Sequence, residues 1–283
     1  MAVPNFADIA KASNDLLNKD FYHLSVATFE LKSNAPNNVA FKVTGKASHE
    51  KATAGALEGK YVEKGTGLTL TQTWTTTNAL DTKVELADTL AKGFKAEGIF
   101  SFLPATHATG AKVNLHFKQP NFHGRAFFDL LKGPVANIDA VVGHEGFLAG
   151  ASAGYDVNKA AVTNYSATVG FTTPAYTAAI AATENLSVFA ASYYHKVNSQ
   201  VEAGAKATWN SKTGNNVGLE VASKYRIDPV SFAKVKVNDR GVAALAYNVL
   251  LRPGVTLGLG ASFDTQKLDQ ATHKIGGSFT FEG

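Results

Sequence analysis

The stretch GLTLTQTWTTT, residues 67–77, alternates almost without a slip. In an extended chain successive side chains point to opposite faces. Leu68, Leu70, Gln72 and Trp74 therefore share one face, and Thr69, Thr71, Thr73 and Thr75 share the other. One row is apolar except for Gln72; the opposite row is polar and uncharged. Whether the apolar row meets a protein core or lipid decides the fold.

The same alternation recurs along the chain, in windows of about ten residues separated by turn chemistry such as APNN, EKGTG, QPN, KGP, TGNN, NDRG and RPG. VEAGAKATW sets Val201, Ala203, Ala205, Ala207 and Trp209 against Glu202, Lys206 and Thr208. VTLGLGASFD sets Val255, Leu257, Leu259, Ala261 and Phe263 against Thr256, Ser262 and Asp264. KIGGSFTFE sets Ile275, Phe279 and Phe281 against Lys274, Ser278, Thr280 and Glu282. We count about nineteen windows. No composition break or long linker divides them.

Two architectures satisfy this pattern. A soluble sandwich packs apolar faces against each other; a membrane barrel turns them to lipid and keeps polar faces around water. Soluble strands are most often about five or six residues long, shorter than these windows. Trp74, Phe102, Tyr155, Trp209, Phe263 and Phe281 lie near window ends, where interfacial girdles sit. The pattern favours an all-β transmembrane barrel, with a soluble β-sandwich ligand-binding protein as the alternative.

The N-terminal segment is different. PNFADIAKASNDLLNKDF places Phe6, Ile9, Ala10, Ser13, Leu16 and Leu17 at helical spacing, which predicts an amphipathic helix of three or four turns. Residues 1–22 form this helix and its linker, and 23–283 the strands.

Bulk composition and motifs exclude several chemistries. The formal charge is +4, from 27 basic and 23 acidic residues, too weak for a dedicated nucleic-acid binder. There is no cysteine, so disulfides and cysteine-based sites are excluded. GALEGKY, from Gly55, has three residues between its glycines where a phosphate loop has four, and Tyr61 where that loop needs Ser or Thr. The eight histidines include no pair two residues apart, the spacing that places two metal ligands on one strand face. No catalytic set emerges, and no enzyme, metal or cofactor is expected. Gly146, Gly150 and Gly154, in GFLAGASAGY, predict a wall that bends or that another backbone approaches.

The residues also carry a family resemblance. MAVPNFADIAKASNDLLNKDFYH resembles the N-terminal helix of mitochondrial porins, the voltage-dependent anion channels, and YRIDPVSFAKVKVNDRGVAALAY, residues 225–247, resembles their signature stretch. LLRPGVTLGLGASFD and HKIGGSFTF continue the match, which is closest to the porins of filamentous fungi. Val235 stands where the family usually has a small residue. The resemblance implies a nineteen-strand barrel, with a parallel pair between the first strand, near residues 24–33, and the last, near 274–282, and the helix inside the pore. It implies a voltage-gated, weakly anion-selective channel of the mitochondrial outer membrane that passes ATP, ADP, phosphate and other small metabolites and ions. Membrane lipid and sterol are the implied surroundings; a homo-oligomer and cytosolic kinase or import-machinery partners are further expectations.

Selectivity would come from charges facing the water. Lys42, Lys46, Glu58, Lys60, Lys112, Lys118, Arg125, Lys206, Lys224, Lys234 and Lys236 fall on polar faces, and the helix adds Lys11 and Lys19. We single out Lys19, Lys60, Lys11, Lys46, Arg125 and Lys236. Lys19 and Lys60 match family positions tied to anion preference, and Lys11 and Lys19 positions linked to nucleotide contact. A nicotinamide-nucleotide contact region maps onto Val242, Ala243, Ala244, Ser262 and Asp264. Gln72 would face lipid where animal relatives often carry a carboxylate, so carboxylate-dependent behaviour is expected to be absent at that position.

Overall fold

The computed structural model describes residues 3–89, 91–131, 133–214, 217–270 and 272–283. Nineteen strands form one sheet. They are β1 (Ala27–Ala35), β2 (Val39–Ala47), β3 (Thr53–Glu63), β4 (Leu68–Thr75), β5 (Leu80–Ala87) and β6 (Phe94–Leu103). There follow β7 (Ala108–Lys118), β8 (Phe122–Asp129), β9 (Val135–His144), β10 (Phe147–Asp156), β11 (Ala161–Thr172), β12 (Tyr176–Thr183) and β13 (Val188–Lys196). The last are β14 (Val201–Asn210), β15 (Val217–Asp228), β16 (Ser231–Asn238), β17 (Val242–Arg252), β18 (Val255–Asp264) and β19 (Lys274–Glu282).

Consecutive strands pair antiparallel, and β1 closes on β19 in parallel, from Ala27 opposite Gly277 to Lys32 opposite Glu282. Parity dictates this: in an alternating meander the first and nineteenth strands run the same way. Lys32 ties the seam, 2.8 Å from Glu282 and 2.9 Å from Glu30. The first strand begins at Ala27 rather than near residue 24, because Tyr22–Leu24 form a 3₁₀ turn on the inner wall.

The outward row shows which solvent the apolar face meets. Ile275 is 71% exposed, Phe147 66%, Ile180 58% and Trp74 57%. Apolar side chains this exposed around a whole wall suit lipid, not water. No second sheet covers them, so the sandwich alternative is overturned. Strands of 8 to 12 residues, as in β4 and β11, match the length that crosses a bilayer at a tilt. Val235 lies in this outward row, 43% exposed, so its bulk meets no protein neighbour across the wall.

The N-terminal helix is shorter than the periodicity predicts. It is a 3₁₀ turn at Phe6–Asp8, then α1 (Lys11–Asn18), eight residues long. Asn5 closes the first turn, its side chain accepting from the Asp8 N–H at 3.0 Å, and Ala10 leaves helical geometry at φ −99°, ψ 22°. The break lets two pieces follow a curved wall: the turn lies on β9 and β10, α1 on β13 to β15. The apolar stripe survives the break, with Ile9, Ser13, Leu16 and Leu17 all buried.

Candidate functional site

Side chains of the N-terminal segment mark the inner face of the barrel. They bury against the wall in three patches: Val3 and Ile9 against Val141, Leu148 and Ala179; Leu16 and Leu17 against Ala222; Phe21 against Ala244 and Ala246. Glycines allow the closest approach. A Cβ at Gly150 would lie 2.9 Å from Phe6 and 3.1 Å from Ile9, and one at Gly204 would lie 2.9 Å from Leu16. Gly154 marks a register shift against β11. The glycine run in GFLAGASAGY thus marks an irregular wall at Gly154, and at Gly150 it is side chains of the N-terminal segment, not another backbone, that come close.

Beyond α1 the chain rests on a second glycine platform. A Cβ at Gly258 would enter the Tyr22 ring, and one at Gly276 would collide with the carbonyl oxygens of Tyr22 and Ser25. Asn248 donates to the Tyr22 hydroxyl. Burial pushes the Tyr22 phenol up, and burial with Lys236 and Lys274 nearby pushes the His23 imidazole down. Sequence reading missed this platform, although Gly258 and Gly260 stand two apart on one strand face.

Among the described residues the segment packs mainly on β9, β10, β13 to β15 and β17 to β19, and it leaves most of the inner arc of β1 to β8 uncovered. Register places Lys60, Thr71 and Lys83 in one inward row, and Lys42 and Glu58 in the neighbouring one. Lys46 shares the inner face through its pairing with Thr28, itself opposite buried Ser278.

Many of these charges neutralise one another. Glu85 and Glu97, directly opposite, are stitched together by Lys83 and Lys95. Arg125 grips Asp139 with Nε 3.0 Å from Oδ1 and Nη2 2.7 Å from Oδ2. Lys236 lies 3.5 Å from Glu220, and Lys11 3.6 Å from Asp8. Among the described residues, no carboxylate comes within ion-pair distance of Lys46, Lys60 or Lys19. The six lysine and arginine positions singled out in the sequence therefore separate into three unpaired cations and three paired ones.

This predicts a non-additive result at the pair on β8 and β9. Neutralising Arg125 alone should shift ion preference toward cations, and Asp139→Asn alone toward anions. The double variant Arg125→Gln/Asp139→Asn should return within about 0.3 kcal/mol of the wild-type preference, because the pair carries no net charge. Reversal potentials in a salt gradient measure all three.

Of the residues mapped to nucleotide contact, Val242, Ala244 and Ser262 line a recess of about 200 Å³ together with Lys236 and His23. Asp264 is opposite Val242 on the same face, whereas Ala243 pairs with Phe263 in the outward row. Alternation thus splits a stretch that sequence reading takes as a block. Gln72 is exposed on the outer face, between Gly59 and Thr82 in register. Gln72→Glu should acquire reactivity toward a hydrophobic carbodiimide that the wild-type position lacks. Peptide mapping of the labelled site reads this out, and equal labelling of both proteins there would contradict it.

The barrel wall agrees with the comparisons. The family model for eukaryotic porins matches residues 2–276. The chain is 80% identical over 282 residues to the mitochondrial outer membrane protein porin of Neurospora crassa, with all of both chains covered. It is 40% identical to non-selective voltage-gated ion channel 1 of Saccharomyces cerevisiae, again over all of both chains. Among solved structures, a variant of the Rh. blastica porin superposes with a TM-score of 0.52 at 12% identity, covering 83% of this chain and 96% of that one, a likeness of fold alone.

Proposed function

The chain belongs to the eukaryotic porin family, and from that premise we propose a voltage-gated, weakly anion-selective channel of the mitochondrial outer membrane. ATP, ADP, phosphate and other small metabolites and ions are its permeants. The observation that carries this reading is a closed nineteen-strand wall, apolar outside and charged inside. Barrels of about sixteen or more strands leave an aqueous path for small solutes.

Lys46 and Lys60 on the open arc and Lys19 at the end of α1 supply the anion preference, since their charges are not cancelled locally. Lys11, Arg125 and Lys236 hold structure and contribute little net field. Widely spaced charges in water are well screened, which fits a weak selectivity. A nucleotide passing α1 meets Lys19 first, with the Val242, Ala244 and Ser262 recess behind it. Sterol and a second copy of the chain would meet the outer face; cytosolic kinases and import proteins would meet the rims.

Voltage acts on charge that moves. Residues 3–20 hold Lys11 and Lys19 against Asp8, Asp15 and Asp20, two positive minus three negative, a net −1. Full transit of that segment across the field gains only about 2.3 kcal/mol per 100 mV. Steeper gating needs the charged wall to move with it.

Conductance of the purified protein in a planar bilayer across a salt gradient tests the reading. Large voltage-dependent steps with an anion-favouring reversal potential are expected. Absence of steps from protein that is folded and inserted would overturn it.

A further inference from the structure

Lys234 stands apart from every other lysine in the lumen. Its side chain is 2% exposed, although it is cationic and projects from a wall strand, β16, into a water-filled barrel. What buries it is the C-terminal end of α1. The ammonium donates to the carbonyl oxygen of Lys19 at 2.7 Å and to that of Asp15 at 3.1 Å. It lies 4.0 Å from the Asp20 carboxylate and 5.0 Å from the centre of the Phe21 ring.

Each of these contacts has a physical reason. The C-terminal end of a helix carries the negative end of its dipole, so a cation there is favourable, and the Asp15 carbonyl, which accepts from the Lys19 N–H, keeps a second lone pair for the ammonium. An ammonium has three donors and no acceptor. Two carbonyls take up two of those directions, the Asp20 carboxylate at 4.0 Å balances the charge, and the ring face adds an attraction for the cation. A buried charge is tolerated only when it is satisfied in this way. Asp20 completes the arrangement: it stands just past the helix with φ 62°, the left-handed conformation that ends many helices. That turn aims the chain back toward the wall, where Phe21 covers Ala244 and Ala246.

Lys236, two residues on and facing the same way, is the internal contrast. It pairs with Glu220 on the neighbouring strand at 3.5 Å. The two lysines carry equal charge on one strand, but only Lys234 bonds the α1 backbone.

We propose that Lys234 is a positioning residue of the pore: it clamps the C-terminal end of α1 to β16, and so fixes both the seat of the helix and the backbone from which Lys19 projects. The helix leaves the wall only by breaking these bonds and exposing an ammonium that its burial has matched to them. The clamp makes the end at residues 15–21 the anchored one. The N-terminal turn packs on β9 and β10 through apolar contacts, among the described residues no lysine ammonium bonds its backbone, and it is the end that loosens first.

The chain has no cysteine, so a single reporter thiol is unambiguous. Ser13→Cys is nearly isosteric and sits at a position 1% exposed, under α1. Its modification by a maleimide is followed by mass in refolded, detergent-solubilised protein, a readout independent of conduction. This separates failure of the clamp from failure of the channel reading. With Lys234→Met the thiol should react at least fivefold faster than in the Ser13→Cys parent. With Lys236→Met, which removes the same charge from the same strand, the rate should stay within twofold of the parent. With Lys234→Arg, which keeps charge and donors, it should also stay within twofold. Equal rates in the Lys234→Met and Lys236→Met proteins would overturn the proposal, as would a fast rate in Lys234→Arg. If Lys234→Met does not refold, Lys234→Gln carries the comparison with the same criterion: faster than Lys236→Met supports the clamp, equal refutes it.

Discussion

Reversing the charge of Lys46 and Lys60 together should convert the channel from weakly anion-selective to cation-selective. Both face the open arc, and among the described residues neither has an ion-pair partner to absorb the change. At ~10 Å in water one unit charge shifts the energy of a passing ion by about 0.4 kcal/mol. Physiological salt reduces that about e-fold at this distance. A Lys→Glu change reverses two units of charge and acts with opposite sign on anions and cations, about 0.6 kcal/mol in all, or roughly threefold in their ratio. The pair of substitutions should therefore move the permeability ratio by close to tenfold, enough to cross unity from a weak preference. The reversal potential in a tenfold salt gradient gives the answer. Retention of anion preference in the double variant would place the selectivity elsewhere, with Lys19 the next position to reverse. The same reversals at Arg125 and Lys236 should also move the ratio toward cations, because each leaves Asp139 or Glu220 without its partner, but unlike Lys46 and Lys60 they break an ion pair of the wall.

The second large effect concerns packing. Gly276→Val should destabilise the protein by about 3 kcal/mol, whereas Gly277→Val should stay within about 0.5 kcal/mol of wild type. The two glycines are adjacent in β19 and point to opposite sides. A side chain at Gly276 enters the backbone of the linker at Tyr22 and Ser25, with carbonyl oxygens that cannot give way without lifting the linker off the wall. A side chain at Gly277 meets only ordinary contacts, 3.7 Å from the Gly258 carbonyl oxygen and 3.8 Å from Leu259 on the outer face. A β-branched residue suits that outward, half-buried strand position. Thermal unfolding in detergent, followed by circular dichroism, compares them. If both variants melt alike, the linker is not seated on the β18–β19 platform.

The sequence reaches far into this fold because a barrel wall is a local object. Strand alternation, turn residues and window length are all written within about ten consecutive residues, so LTLTQTWT already shows its lipid face and its water face. The count near nineteen follows from the same local pattern, and the parallel seam follows from parity once the count is odd. The apolar stripe Ile9, Ser13, Leu16 and Leu17 was legible for the same reason. The division of the helix into a turn and eight helical residues was not, since it answers to the curvature of a wall formed by strands far away in the chain.

Pairing across strands, by contrast, is set by contacts far apart in the chain. Arg125 reads as a free lumen cation until β9 brings Asp139 beside it, fourteen residues on. Lys234 reads as one more inward lysine until the N-terminal segment, 215 residues away, lays the Lys19 carbonyl on its ammonium. Tyr22 occupies the space that the missing side chain of Gly258 leaves, and the Tyr22 and Ser25 carbonyls that of Gly276. Which residues face water and which face lipid is already legible in the chain's order of residues, because the two-residue period of an extended chain sets it. Which of the inward charges act on a passing ion, and which hold the pore helix to its wall, depends on neighbours that only barrel closure supplies.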